Sequence, residues 1–230
     1  MTETWFTLDS GPGAAAWNMA IDELLMLRAA TNGAPVLRFY SWTEPAATFG
    51  YFQKIADVEN WTPLRPLIRR PTGGGLVPHD HDWTYSLAVP PGHWWYDAKA
   101  TDSYFWIHDW LRRAFATLNL TSELAGCCQP EGPGQCFVGA EKSDLLWQGM
   151  KIAGAAQRRT RDGLLIQGSI QSPPEGPTRA AWQEAMLNLD PLPTQPKVQW
   201  QVLDDKEPLQ TQAQDLVQIK YSQPAYNRKR

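Results

Sequence analysis

One segment of the chain combines three consecutive glycines with charged residues on both sides. Residues 69–80 read RRPTGGGLVPHD. Glycine has no Cβ, so this backbone can adopt positive φ and come into contact with a ligand. Two interpretations are open: a flexible surface turn with charged flanks, or a backbone platform for a carbonyl, carboxylate or phosphate group. Two arginines before the glycines and a His-Asp pair after them favour the platform, without defining its chemistry.

Composition and charge exclude several classes of protein. The formal net charge of the 230 residues is −3, so a general nucleic-acid-binding surface is not predicted. No apolar run approaches the roughly 18 residues of a membrane span, and the first residues do not resemble a signal peptide. Three cysteines are an odd number, which disfavours a disulfide framework. We therefore expect a cytoplasmic globular protein that binds neither nucleic acid nor a membrane.

Hydrophobic periodicity predicts strands interleaved with helices and no internal repeat. Apolar residues at helical spacing predict helices over residues 14–30, 57–61, 101–118, 179–189 and 211–220. Strands are predicted over residues 4–9, 36–42, 46–52, 66–70, 83–89, 144–147, 150–158 and 164–170. Because several of these strands follow one another as hairpins, the pattern favours an α+β fold with a mixed, largely antiparallel β-sheet flanked by helices.

Cys136 and Lys151 are the main candidates for chemistry. Cys136 follows a Gly/Pro-rich loop and precedes a predicted strand, where a nearby cation would favour a reactive thiolate. The alternative is that Cys136 is a small buried hydrophobe. Lys151 shares a predicted strand face with Ala153 and Ala155, which leaves room for a ligand. A lysine on such a face requires a partner, unless it lies at the edge of the sheet and reaches solvent.

The histidines at the end of the glycine segment are candidate metal ligands. His79 and His81 would share one face of a strand, as zinc or iron ligands can. No third and fourth ligands stand close in the sequence, so we predict no metal site. The sequence also contains neither a P-loop nor a nucleophile elbow.

The glycine segment and three further stretches resemble the signature of the lipoate–protein ligase and octanoyltransferase superfamily. These stretches are residues 18–23 (NMAIDE), residues 38–53, and residues 149–157 (GMKIAGAAQ) with Gly168-Ser169-Ile170. The resemblance implies the catalytic fold shared with biotin–protein ligases, over a catalytic domain of residues 1–172. Residues 173–230 are then expected to form a short C-terminal extension packed on the same domain.

Within this superfamily, the resemblance is greatest to the cysteine-dependent octanoyltransferases of the Gram-positive type, because Cys136-Phe137 matches their Cys-Phe pair. It implies that Cys136 accepts an octanoyl group from acyl carrier protein as a thioester. The group then passes to a lysine of a lipoyl domain, such as that of glycine cleavage H protein or a 2-oxoacid dehydrogenase E2. Lys151 would activate the thiol or act as general base, and no cofactor would be required.

Two alternatives are open. An ATP-dependent lipoate–protein ligase would form an acyl-adenylate with ATP and Mg²⁺; Gly75 resembles the ligase loop, and Gln167 replaces a usual histidine. The short region after residue 172 leaves little room for a ligase accessory domain and favours the transferase. A non-catalytic lipoyl-domain or acyl-binding protein is the other alternative.

The resemblance also implies a set of substrate-binding residues. Arg70 is expected to bind a phosphate or carboxylate, or else to form a structural ion pair. His79 is expected to orient the glycine loop, the part of the glycine segment that contains Gly73, Gly74 and Gly75. Tryptophans are expected to supply an apolar tunnel for the acyl chain. The predicted substrate-binding set is Arg70, Gly73, Gly74, Gly75, His79, Ala153 and Gly154.

Overall fold

The computed structural model describes residues 2–127, 139–204 and 206–229. The elements in chain order are β1 (Thr2–Gly13), α1 (Ala15–Leu27), α2 (Ala29–Asn32), β2 (Val36–Trp42), β3 (Ala46–Phe49), α3 (Ile55–Trp61), β4 (Leu67–Arg69), β5 (Val77–His79), β6 (Trp83–Val89), α4 (Trp94–Asp97), α5 (Ala100–Thr117), β7 (Glu123–Leu124), β8 (Leu145–Trp147), β9 (Met150–Thr160), β10 (Gly163–Ile170), α6 (Arg179–Leu187), β11 (Lys197–Val202), α7 (Lys206–Leu216), a π-helical turn (Val217–Tyr221) and α8 (Pro224–Asn227).

A mixed sheet forms the centre of the fold. Its order among the described strands is β11-β1-β2-β6-β10-β9-β8-β7. Strand β1 pairs in parallel with β2 and β11, and the other neighbours in this sheet are antiparallel. A small second sheet has the order β4-β3-β5; β4 ends where the glycine segment begins, and β5 follows the three glycines. The predicted fold class, a mixed and largely antiparallel sheet with flanking helices, is confirmed.

The two faces of the large sheet bury separate apolar clusters. Leu37 of β2 packs with Ile107 and Leu111 of α5 on one face. On the other face, its neighbour Val36 packs with Ile21 of α1. Successive residues of a strand point to opposite faces, so alternation within β2 supplies both clusters. Helices α1 and α5 place their apolar stripes against the two faces of the sheet, as their sequence periods predict.

Strand β11 was not predicted from the sequence. It pairs in parallel with β1, with Thr2 opposite Lys197 and Thr7 opposite Val202. Its sequence alternates, and the ring of Trp200 stacks on Trp110 at 6.1 Å between centroids. The surrounding Gln- and Pro-rich sequence obscured this alternation. The contacts join residues 197–202 to the large sheet, while the division into a catalytic domain and an extension stays a prediction.

Five of the twelve tryptophans form one cluster, and the tunnel for an acyl chain stays a prediction. The ring of Trp5 lies within 5.7–6.4 Å of four other indole rings, measured between centroids: Trp94, Trp95, Trp110 and Trp200. These residues lie on β1, β11, α4 and α5. None of the helices in the described part of the chain combines the length and apolar character needed to cross a bilayer.

Candidate active site

The glycine segment folds back over the buried guanidinium of Arg70. This group donates hydrogen bonds to the carbonyl oxygens of Gly73 (2.7 Å) and Gly75 (2.6 Å) and to the carbonyl of Thr48 (3.2 Å). Gly74 has a φ of 81°, the left-handed conformation that glycine tolerates. Arg70 therefore holds the glycine loop in its conformation. This geometry favours a role in positioning the loop over direct contact with a phosphate or carboxylate.

Gly50 allows the loop to approach the end of β3. A Cβ added at Gly50 would lie 1.8 Å from the carbonyl oxygen of Gly74, which no side chain could accommodate. The next residue, Tyr51, donates its backbone N–H to the carbonyl of Thr72 at 2.9 Å. The turn after β3 and the glycine loop are thus in contact along their backbones.

His79 supports the loop through a chain of hydrogen bonds. Its Nδ1 lies 2.8 Å from Asp82 Oδ2, and its Nε2 lies 2.8 Å from Thr48 Oγ1. Thr48 Oγ1 also accepts from Arg70 at 3.3 Å, which connects His79 to the glycine loop. Both ring nitrogens therefore have protein partners. Among the described residues, no group of three or more His, Cys, Asp or Glu is arranged to hold a metal ion.

Asp82 is a buried carboxylate in the same network. Burial alone would raise the pKa of Asp82, but the charge interaction with His79 and hydrogen bonds from His79, Ser169 and Thr84 lower it below its ordinary value. The hydroxyl of Ser169 donates at 2.6 Å and that of Thr84 at 3.0 Å. The carboxylate thus joins β6 and β10 to the end of the glycine segment.

Asp22 of α1 is the centre of a second buried network. It accepts hydrogen bonds from Arg38 (2.7 Å), Tyr40 (2.9 Å), Ser86 (2.6 Å) and Gln167 (2.7 Å). Asp22 and Arg38 are both fully buried, so they form an ion pair isolated from solvent. The network joins α1 to three adjacent strands and fixes their polar side chains.

Gln167 connects this network to the glycine loop. Its Nε2 donates to Asp22, and its Oε1 accepts from the Thr72 hydroxyl at 2.7 Å. An amide donates and accepts at the same time, and both functions are used here. Gln167 therefore satisfies both neighbours at a position where the family resemblance led us to expect histidine.

Lys151 has a buried carboxylate partner. Its Nζ lies 2.7 Å from Asp144 Oδ2, and the two side chains are 8% and 0% exposed. Asp144 also accepts a hydrogen bond from the Tyr104 hydroxyl and, at 2.6 Å, from the backbone N–H of Glu141. The sequence required a partner for a lysine in this strand, and Asp144 is that partner.

The end of Lys151 lies against Gly154. A Cβ added at Gly154 would lie 2.9 Å from Lys151 Cε and 3.1 Å from Nζ. In the antiparallel register, Gly154 is opposite Ser169 and Ala156 is opposite Gln167, so both small residues share the face that carries the glycine-loop contacts. Ala153 is fully buried in the core on α5's side. Its position favours packing, and its role in substrate binding stays a prediction.

Gly154→Ala is expected to lower catalytic turnover about tenfold while changing the free energy of unfolding by less than about 1 kcal/mol. The added methyl group would displace the flexible end of Lys151 rather than the backbone. Steady-state kinetics and urea unfolding measure the two effects. Gly126→Ala is the matched control, because an added Cβ there meets no atom within 4 Å among the described residues. An unchanged turnover in Gly154→Ala would contradict the placement of Lys151.

Cys136 lies outside the described residues, as does its neighbour Phe137. In the sequence, Cys136 precedes Glu141 by five positions, and the Glu141 N–H binds the same carboxylate as Lys151. Its assignment as nucleophile stays a prediction.

Two residues of α5, His108 and Tyr104, lie beside the Lys151–Asp144 ion pair. Nδ1 of His108 lies 2.9 Å from the Tyr104 carbonyl oxygen, and Nε2 is buried without a hydrogen-bond partner among the described residues. Burial lowers the pKa of His108 to about 4, despite the opposing effect of the Asp144 charge. Burial, followed by the charge of Asp144, raises the pKa of Tyr104 well above its ordinary value. The neutral forms of both residues are therefore favoured.

His108 makes the stability of the protein depend on pH. Because its pKa is about 4 in the folded state, against an ordinary value of 6.5, the unfolded chain binds the extra proton between these pH values. Stability is therefore lost as pH falls through this window, by about 2 kcal/mol between pH 7 and pH 4.5 from this residue. His108→Phe is expected to remove that part of the slope in urea unfolding.

The exposed His81 provides the control for this experiment. His81→Asn is expected to leave the change in unfolding free energy between the two pH values as in the parent protein. Parallel stability profiles for His108→Phe and the parent would contradict the assignment of this slope to His108.

Comparison with known proteins identifies the family to which these features belong. A model described as the lipoyl protein ligase A/B catalytic domain matches residues 14–176. Octanoyltransferase LipM of Carboxydothermus hydrogenoformans is 37% identical over 174 residues, and that of Bacillus subtilis strain 168 is 34% identical over 181 residues. Each comparison covers 73% of this chain and 65% of the relative, so the matched region is slightly less than two thirds of each relative's length.

Solved structures show the same fold. Lipoate-protein ligase A bound with ATP has a TM-score of 0.74 at 19% identity, covering 98% of both chains. The bi-partite lipoate protein ligase of Thermoplasma acidophilum, from a study of an archaeal lipoylation system and its E2 lipoyl domain, has a TM-score of 0.69 at 19% identity. That comparison covers 99% of this chain and 97% of the other. At this level of identity the likeness concerns the fold alone.

Proposed function

Because the chain belongs to the lipoyl protein ligase A/B catalytic domain family, we propose that it is an octanoyltransferase of protein lipoylation. It transfers an octanoyl group from acyl carrier protein to a lysine of a lipoyl domain through a Cys136 thioester. The observation that carries this proposal is the 34–37% identity to octanoyltransferases over 73% of the chain. The structural neighbours are ligases at 19% identity and support the fold without supporting ligase activity.

In the first step, the Cys136 thiolate attacks the carbonyl carbon of the octanoyl thioester. The bond between that carbon and the carrier sulfur breaks, and the sulfur takes up a proton from the Lys151 ammonium and leaves as the carrier thiol. An ammonium group near a thiol lowers the pKa of the thiol, so Lys151 would supply the charge that keeps Cys136 reactive. Asp144 holds Lys151 in place by the 2.7 Å ion pair.

In the second step, a neutral lysine amine of the lipoyl domain attacks the Cys136 thioester. An amide forms, the bond to the Cys136 sulfur breaks, and the amine loses a proton. That proton passes to the Lys151 amine, which the first step left neutral, so the Cys136 thiolate and the Lys151 ammonium are restored. Lys151 is therefore the proton donor in the first step and the proton acceptor in the second. No ATP, metal ion or other cofactor takes part in this scheme.

The acyl chain is proposed to lie between β9 and the glycine loop. Gly154 and Ala156 present little side chain on this face, and Gln167 joins it to Thr72 of the loop. Burial of an octanoyl chain is favourable by ~0.8 kcal/mol per CH₂ group. In this scheme Gly73, Gly74 and Gly75 provide backbone contacts, whereas Arg70 and His79 maintain the loop conformation.

Acylation of an isolated lipoyl domain, followed by mass spectrometry, tests the proposal against its alternatives. One reaction contains octanoyl-acyl carrier protein without ATP, and the other contains free octanoate, ATP and Mg²⁺. We expect the acceptor to gain one octanoyl group in the first reaction alone. Modification in the second alone would establish a ligase, and modification in neither, with retained binding of the acceptor, would establish a non-catalytic binding protein.

A further inference from the structure

Two cations converge on the ring of Tyr51. The Nζ of Lys229 lies 3.5 Å from the ring centroid, and the Cζ of Arg158 lies 5.3 Å from it. Neither cation forms an ion pair with an acidic residue in the part of the chain that the structure describes. Other cations of the same C-terminal region are neutralised: Lys220 by Glu23 at 2.6 Å and Arg228 by Glu59 at 2.5 Å.

The arrangement concentrates positive charge beside an exposed aromatic side chain. The negative face of an aromatic ring attracts cations, which allows two of them to share Tyr51 despite their mutual repulsion. Phe52, whose ring lies 5.1 Å from that of Tyr51, is 70% exposed. An anionic partner with an apolar rim would neutralise the two cations and cover Phe52.

This cationic cluster, consisting of Tyr51, Arg158 and Lys229, is connected to the proposed acyl site. Arg158 donates a hydrogen bond to the carbonyl oxygen of Pro71 at 3.2 Å, and Pro71 lies two residues before the first of the three glycines. Arg158 follows Gly154 by four residues along β9, so the two residues share a face and are separated by about 13 Å at ~3.3 Å per residue. The cluster therefore lies at the end of the acyl site remote from Lys151.

We propose that the cationic cluster is the docking surface for the acyl donor, an acidic carrier protein. This inference rests on the proposed function. A partner bound about 13 Å from Gly154 must present its reacting group on a long arm. Carrier proteins present the thioester on such a prosthetic arm, whereas the four-carbon stem of an acceptor lysine spans about half the distance. The geometry thus favours the donor over the lipoyl domain.

The test compares acylation of the enzyme by two donors, octanoyl-acyl carrier protein and octanoyl-pantetheine, which lacks both the carrier and the phosphate. Lys229→Glu is expected to raise the KM for the carrier donor about tenfold with kcat within about twofold, because it reverses one charge of the docking surface. Kinetics with octanoyl-pantetheine are expected to stay unchanged. Added salt should reduce kcat/KM with the carrier donor less in Lys229→Glu than in the parent.

Lys197→Glu is the matched control, because it makes the same charge change on the edge strand β11, which four strands separate from β9 and its Arg158. It is expected to leave both donors unaffected. Equal KM values for the carrier donor in the two variants would overturn the docking assignment, and so would an equal loss with octanoyl-pantetheine. A raised KM for the lipoyl domain alone would assign the surface to the acceptor instead. If the parent protein is acylated by neither donor, the proposed function itself fails.

Discussion

Lys151→Met is expected to lower the rate of octanoyl transfer by about 10³-fold, the size of effect expected for loss of a proton-transfer group that also activates the nucleophile. The variant removes the only charge that the described structure brings to Asp144 through a side-chain ion pair. Single-turnover acylation by octanoyl-acyl carrier protein measures the first step directly. The second step is measured by transfer from preformed acyl-enzyme to a lipoyl domain.

A charge-balanced variant separates this catalytic effect from lost stability. Removing Lys151 alone leaves the buried Asp144 carboxylate uncompensated, which costs about 3–5 kcal/mol in comparable sites. Lys151→Met combined with Asp144→Asn removes both charges. The asparagine oxygen can still accept from the Glu141 N–H, and its NH₂ group can donate to the Tyr104 hydroxyl oxygen. We expect the double variant to recover most of the stability and none of the activity. Recovery of transfer in the double variant would contradict a chemical role for Lys151.

Asp22→Ala is expected to reduce the free energy of unfolding by about 3–5 kcal/mol, because it leaves Arg38 charged, fully buried and without its carboxylate. It also removes the acceptor for Tyr40, Ser86 and Gln167. Urea unfolding at neutral pH measures the loss. Asp162→Ala provides the control, since its ion pair with Arg161 is 3.6 Å long and solvent-exposed.

The control is expected to change stability by less than about 1 kcal/mol, as is usual for exposed ion pairs. A loss of similar size in the two variants would show that the Asp22 network has no special contribution to stability. The comparison is informative because both substitutions remove one carboxylate, and they differ in burial and in the number of hydrogen bonds lost.

Hydrophobic periodicity predicted the elements that carry the fold. The strand predictions over residues 36–42 and 83–89 match β2 and β6, and the two long helices differ from their predicted bounds by one to three residues. The two strands supply apolar residues to both clusters and each long helix supplies one cluster, so local sequence and tertiary packing agree. In β11, half-buried Val198 and Trp200 alternate with exposed polar residues, but the short pattern was hidden by its surroundings.

The candidate site was harder to predict, because its polar partners come from distant parts of the chain. The sequence indicated that Lys151 needs a partner, but it did not identify Asp144. Arg38 lies between two apolar residues of β2, and this was a usable signal for a buried charge and hence for Asp22. The N–H groups of Arg70 were predicted to bind a phosphate or carboxylate. In the structure they donate hydrogen bonds to the carbonyl oxygens of Gly73 and Gly75 instead.

The most direct test of the transferase proposal is intact mass spectrometry after the protein is mixed with octanoyl-acyl carrier protein without ATP. We expect one added octanoyl group, which hydroxylamine removes and which is absent in Cys136→Ser. A thioester at this residue would establish the covalent intermediate on which the proposed mechanism depends. Failure of the parent protein to form the adduct, or an identical adduct in Cys136→Ser, would contradict it.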